Sequence, residues 1–85
     1  MTQRVVFLSA VRTAIGGFGG SLKDVPATTL AASVTREAVA RANLQPEQIG
    51  HVVFGNVLHT DRRDMYISRV AALEGGLPEN TPALT

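Results

Sequence analysis

The sequence predicts an α/β fold, with parallel strands joined by crossover helices. Three observations carry this. Two short apolar runs, at Val5–Leu8 and Val52–Phe54, do not alternate apolar with polar residues, which is how a strand reads when both faces of its sheet are covered. An alanine-rich stretch of helical spacing lies between them. A second helical stretch and the approach to a third strand follow, giving the order β-α-β-α-β.

The first twenty residues organise the rest. Val5–Leu8, extended by Ala10 and Val11, is too short for a helix, and a strand is expected over Val5–Ala10. Gly16, Gly17, Gly19 and Gly20 around Phe18 then permit a tight, irregular loop. The cluster fails as a dinucleotide fingerprint. Counted from Gly17, the third glycine position holds Leu22, and the next helix starts only after Pro26, so no helix N-terminus meets the glycines.

Pro26 pre-sets a helix start, and a helix is expected over Thr28–Ala42. Leu30, Ala31, Val34, Ala38 and Ala42 fall on one stripe, and Glu37 and Arg41 are spaced for an i, i+4 pair. Asn43 is a helix terminator, with Leu44 folding back. Pro46 opens a turn or one loop of helix. The second strand is expected over Val52–Val57, with Gly55 marking a bulge or close approach. A polar loop, His59–Asp64, leads to a helix over Met65–Glu74 with Tyr66, Ile67, Val70, Ala71 and Leu73 on one face. Asp61 or Asp64 caps it, and Gly75-Gly76 with Pro78 stops it. Ala83–Thr85 begins a third strand, next to the second.

Composition excludes several functions. With 85 residues the chain holds one small domain at most. It has no cysteine, hence no disulfide framework, thiolate metal site or cysteine nucleophile. His51 and His59 alone make a poor metal site. The net charge of +1 gives no basis for nucleic acid or an anionic membrane as partner, and no run approaches a membrane span. A faint mimic of a signal peptide at Arg4–Ala10 ends in Arg12, so the expected compartment is cytoplasmic.

Topology adds a further expectation. Crossovers in parallel sheets are right-handed in about 98% of cases. If strands add in one direction, both helices lie on the same sheet face. The other face is apolar and bare, which soluble monomers avoid. The expectation is that residues 1–85 are part of something larger, completed by more polypeptide or a tight partner.

Three blocks of sequence resemble the N-terminal segment of the thiolase family: Val11-Arg-Thr-Ala-Ile-Gly-Gly-Phe-Gly-Gly-Ser-Leu22, Pro46-Glu-Gln-Ile-Gly-His-Val-Val-Phe-Gly-Asn-Val-Leu58 and Arg69-Val-Ala-Ala-Leu-Glu-Gly-Gly-Leu-Pro78. The resemblance implies a layered αβαβα fold, of which residues 1–85 are the incomplete N-terminal part of the N-terminal domain. It implies an acetyl-CoA C-acyltransferase or β-ketothiolase with coenzyme A thioesters as substrates, no covalently bound cofactor, and self-association to a dimer or tetramer. It also implies that the nucleophilic cysteine lies beyond Thr85, so no catalytic residue is carried onto this sequence.

Thr60-Asp-Arg-Arg-Asp-Met-Tyr66 departs from the glycine-rich loop common in the family and resembles variants that accept longer acyl chains. Asp64, Met65 and Tyr66 are therefore the candidate substrate-pocket or subunit-interface residues, with simple packing as the alternative for Met65 and Tyr66. Arg62 and Arg63 suit phosphate, against a solvated loop. Arg12 and Arg69 read as buried or interface anchors. The competing functional classes are a small-ligand-binding α/β module and a non-catalytic interaction fragment.

Overall fold

The computed structural model describes residues 3–85. Helix α1 spans Ala27–Arg41, strand β1 Val52–Val53, helix α2 Ile67–Glu74 and strand β2 Ala83–Leu84. Short 3-10 turns at Pro46–Gln48 and Arg62–Tyr66 precede β1 and α2. The two strands are parallel, Val52 opposite Ala83 and Val53 opposite Leu84. The Val52 amide donates to Pro82 at 2.9 Å and the Phe54 amide to Leu84 at 3.0 Å. The third expected strand thus sits beside the second, with α2 as the crossover between them.

Both helices end as their local residues dictate. Asn43 takes a left-handed φ of 59°, and the Leu44 amide returns to the Val39 carbonyl at 3.3 Å. Gly76 does the same after α2, at φ 93°, with the Leu77 amide on the Ala72 carbonyl at 2.9 Å. In each case the left-handed residue satisfies a carbonyl the helix would leave open.

The core lies between the two helices and one face of the sheet. Ala31, Ile67 and Ala71 form one buried cluster; Val52, Ala72 and Leu77 form another, and half-buried Phe54 packs against both. Small residues set the helix separation. A Cβ on Gly75 would lie 2.6 Å from the Ala71 carbonyl oxygen and 2.8 Å from Thr35 Cγ2. The Arg36 guanidinium donates to the Glu74 carbonyl at 2.7 Å across the same junction.

The opposite sheet face is bare, although only one of the two crossovers expected, that through α2, is present. Val53 is 67% exposed and Leu84 59%. Total accessible area is 6689 Å², against ~4,900 Å² for a folded monomer of this mass. Covering these residues needs material outside the described 83-residue span 3–85.

Several expectations are corrected. Val5–Ala10 forms no strand and no ladder with β1. It has no regular secondary structure; Val5 and Phe7 are each 99% exposed, and the Ser9 hydroxyl donates to the Ala38 carbonyl at 2.8 Å. A gap of about 390 Å³ lies between Ser9–Val11 and Val34, Ala38, Val39 and Val52. The described residues supply no ladder for this run, and without one its apolar character has nowhere to go.

The strand expected over Val52–Val57 is laddered only at Val52–Val53, so Gly55 falls past its end; no atom lies within 4 Å of a Cβ built there. The face of α1 also differs. Thr28, Ala31 and Ala32 are buried, because the small side chains face α2, while Val34 and Ala38 of the expected stripe face the gap beside Ser9. The second helix begins with a 3-10 turn, and its buried face is Ile67, Ser68, Ala71 and Ala72. Tyr66 and Leu73 are exposed, as a 3-10 entry rotates Tyr66 out of the α-helical stripe. Arg12 is exposed and donates to its neighbour Thr13, whereas Arg69 is half-buried and donates to the Thr81 carbonyl at 3.2 Å.

Candidate functional site

The carboxyl ends of β1 and β2 point the same way, and ligands of open parallel sheets bind beyond that end. The chain leaving β1 makes the loop that carries most of the polar side chains there. Asp61 starts it as the cap of the Arg62–Tyr66 turn, its carboxylate accepting from the Arg63 amide at 3.0 Å. Three residues on, Asp64 reaches back to the Asp61 amide at 3.2 Å, the reciprocal arrangement of a capping box.

Asp64 is the knot of this loop. It is 2% exposed. Its Oδ2 accepts from the Thr60 amide at 2.8 Å and the Thr60 hydroxyl at 2.5 Å. The Thr60 hydroxyl, and then the Thr60 amide, hold the Asp64 carboxyl below its ordinary pKa; partial desolvation opposes them, while the Asp61 amide and the nearby His59 add to the lowering. Donors aimed at a carboxylate favour its charged form. Asn56 ties the loop to the end of β1, its Nδ2 lying 2.8 Å from His59 Nδ1 and 3.1 Å from the Asp64 carbonyl. An amide nitrogen carries two donors, so both contacts are made when His59 Nδ1 is the unprotonated nitrogen.

The structure divides the three candidate residues. Asp64 faces inward and spends its carboxylate on the loop's own backbone. Met65 and Tyr66 face outward, 53% and 69% exposed. Arg63 forms an ion pair with Glu74, so it is not a free phosphate ligand; Arg62 is exposed. A cleft of about 510 Å³ separates the loop from the connector before α1, lined by Lys23, Asp24, Thr60, Asp61, Arg63 and Asp64 among others. Its charges are mixed, and it brings no nucleophile and base together. Among the described residues no three His, Cys, Asp or Glu side chains converge on a metal position, and no helix is long and apolar enough to cross a membrane.

Sequence reasoning missed four residues at this end: Asn56, Thr60, Ser68 and Thr85. Ser68 and Thr85 bond to each other through their hydroxyls at 2.6 Å, a contact no local signal announces. The Asp61-x-x-Asp64 spacing was the available signal for Thr60, since a box of this kind places the second acid against the amides that precede it.

Comparison with known proteins follows the same boundaries. The family profile described as "Thiolase, N-terminal domain" matches residues 5–85. Beta-ketothiolase BktB of Cupriavidus necator is 61% identical over 85 residues, which is 100% of this chain and 22% of that protein. A probable acetyl-CoA acyltransferase of Staphylococcus aureus is 45% identical over 82 residues, covering 96% of this chain and 21% of the relative. Among solved structures, human mitochondrial 3-ketoacyl-CoA thiolase in complex with CoA superposes with a TM-score of 0.87 at 38% identity, over 92% of this chain and 20% of that one. The chain therefore spans about a fifth of the length of these relatives.

Proposed function

Because the chain belongs to the thiolase family, matching its N-terminal domain, we propose that the protein carrying it is an acyl-CoA:acetyl-CoA C-acyltransferase, and that residues 1–85 are an incomplete N-terminal part of its N-terminal domain. The reaction is cleavage of a 3-ketoacyl-CoA by coenzyme A or the reverse Claisen condensation, through an acyl-cysteine. The segment contains no cysteine, so the acyl-bearing thiolate comes from polypeptide outside it. The substrates are coenzyme A thioesters, the compartment is cytoplasmic, and no covalent cofactor is involved.

What supports the reading is a resemblance that runs through every element, joined to one structural observation: a parallel sheet with both helices on one face and Val53 and Leu84 bare on the other. A small-ligand module would cover both faces itself. An interaction fragment would leave the bare face but has no use for a loop tied down as tightly as Thr60–Asp64.

In this reading the segment supplies scaffold. It fixes the carboxyl ends of two strands, and the Asp64 knot holds Met65 and Tyr66 outward, where they meet the acyl chain or a neighbouring subunit. The free edge of β2 pairs with its own copy across a two-fold axis, an isologous contact that removes an exposed edge.

The test is the full-length protein with acetoacetyl-CoA and longer 3-ketoacyl-CoA esters, reading CoA-dependent cleavage and the mass of an acylated enzyme. Cleavage with an acyl adduct is expected; absence of both at every chain length overturns the reading. Met65→Ala in that protein should change acyl-chain preference or oligomeric state. If it changes neither, the place given to Met65 and Tyr66 is wrong.

A further inference from the structure

The side-chain amide of Asn56 has both of its protons committed. Its Nδ2 lies 2.8 Å from His59 Nδ1 and 3.1 Å from the Asp64 carbonyl oxygen. A carbonyl oxygen only accepts, so the atom facing it is the amide nitrogen and not the amide oxygen. That nitrogen has one proton for each contact. The bond to His59 therefore needs Nδ1 with its lone pair free, which is the neutral ring protonated at Nε2.

Protonation of the ring sets the two contacts against each other. An imidazolium carries N–H on both nitrogens, so Nδ1–H then faces an amide nitrogen that also donates. Turning the amide over offers its oxygen to the imidazolium but sets that oxygen against the Asp64 carbonyl, acceptor against acceptor. One of the two bonds is lost in either arrangement. Asn56 is half-buried just beyond Val52–Val53, and His59 is exposed. The Asp64 carbonyl keeps the Ile67 amide, so the turn survives and only its tie to Asn56 goes.

The charges around His59 do not reverse this. Its own loop carries Asp61, Arg62, Arg63 and Asp64. The connector before α1 adds Lys23 and Asp24 across a shared cleft, and the first turn of α1 adds no acidic residue. Glu74 of α2 is already paired with Arg63, and β2 at Ala83–Leu84 carries no charge. Asp64 attracts an imidazolium, but for an exposed histidine such attraction is weak and screened by salt. Its Oδ2 is moreover already taken by Thr60 and Asp61.

We propose that Asn56 and His59 form a pH-sensitive latch on the loop between the end of β1 and Tyr66, closed while His59 is neutral and released from Asp64 when His59 takes a proton. Met65 and Tyr66 directly follow Asp64, so release loosens the segment that presents them. Histidine changes charge between about pH 5 and 8; the closed loop is held above that window and is lost as pH falls through it. The latch belongs to the loop itself and does not depend on the proposed activity.

The experiment is hydrogen exchange on the full-length protein without substrate, at about 0.15 M salt and at pH values of about 8 and 5.5, corrected for the intrinsic pH dependence of exchange. The amides of Thr60, Asp61 and Asp64 should lose about 2- to 10-fold in protection at the lower pH, the opening expected from one neutral hydrogen bond, while those of Val52 and Phe54 keep theirs. His59→Gln, which stays neutral, should show equal loop protection at both pH values. Asn56→Ala should show the lowered protection at both. Loop protection in wild type that is absent at pH 8, unchanged by pH, or higher at the lower pH overturns the latch. So does a pH response that persists in His59→Gln, since another group would then carry it. If Asn56→Ala does not fold, wild type against His59→Gln decides the question by the same criteria.

Discussion

Val5–Leu8 and Val52–Phe54 are nearly the same kind of sequence, and the molecule treats them in opposite ways. Val52 is buried, pairs with Ala83 and packs on Ala72 and Leu77. Val5 and Phe7 are as exposed as residues can be and pair with nothing among the described residues. Both runs are rich in β-branched and aromatic residues, and both read as strands. The difference lies in what stands beside them. β-propensity measures fit to a half-buried pleated surface; where neither a ladder nor a covering layer is at hand, the same side chains form no strand.

The largest expected effect tests whether the packed region stands by itself. The 85-residue chain alone should lack a cooperative unfolding transition, since Val53, Leu84, Val57 and Leu58 remain uncovered. Circular dichroism and hydrogen exchange read this. A sharp, monomeric melt with slow exchange at Val5–Leu8 as well as Val52–Phe54 would erase the contrast between the two runs.

A pair of glycine substitutions sharpens it inside the full-length protein. Gly75→Ala drives a methyl into the Ala71 carbonyl and Thr35, an overpacking expected to cost ~1–3 kcal/mol. Gly17→Ala meets nothing within 4 Å and should stay within about 0.5 kcal/mol of wild type. Denaturant midpoints decide it; equal losses would mean that the glycine loop is as tightly packed in the whole protein as the α1–α2 junction is here.

What was legible in the sequence divides along the same line. Helix ends were legible because caps are local: Asn43, Gly76 and Asp61 act on amides and carbonyls within a few residues of themselves. The Glu37–Arg41 pair, at 2.8 Å, was legible for the same reason, and so was the parallel neighbour relation of the last two strands, which follows from chain order. The buried face of α1 was not. Leu30 and Val34 outrank Thr28 and Ala32 in hydrophobicity, but the close approach of α2 at Thr35 and Gly75 selects small side chains. In the loop after β1, Asp64, Met65 and Tyr66 were named together from the sequence, while their opposite orientations were hidden in the Thr60 and Asp61 contacts. The Ser68–Thr85 pair depends on tertiary structure alone.

The Asp64 knot supplies a smaller effect with a sign. Its folded carboxyl titrates below its ordinary value, so its stabilising contribution is complete above the unfolded value of about 4 and is lost as pH falls through the depressed folded value. Asp64→Asn should remove this acid-dependent part and speed hydrogen exchange at the Thr60 and Asp61 amides at neutral pH. Those amides exchanging as slowly in the variant as in wild type would show that the Arg62–Tyr66 turn holds the loop without the carboxylate.

The smallest expected effect concerns the one side-chain hydrogen bond that joins the N-terminal run to the packed region among the described residues. Ser9 donates to the Ala38 carbonyl at 2.8 Å. That carbonyl already accepts the Ala42 amide at 3.1 Å, so removing the hydroxyl orphans no buried acceptor, and the cost belongs at the low end of the range for a hydrogen bond, about 0.5 kcal/mol. Ser9→Ala in the full-length protein should therefore barely move the denaturant midpoint. Its local consequence depends on what else holds the run. If Val5–Leu8 gains a ladder in the complete protein, its amides stay protected when Ser9 is replaced. If the serine is the real tether, protection at Val5–Leu8 falls while that at Val52 and Phe54 does not. A loss of more than about 1.5 kcal/mol, beyond what one neutral hydrogen bond contributes, would mean that the run is part of the core after all, and that the two stretches differ less than their present exposure indicates.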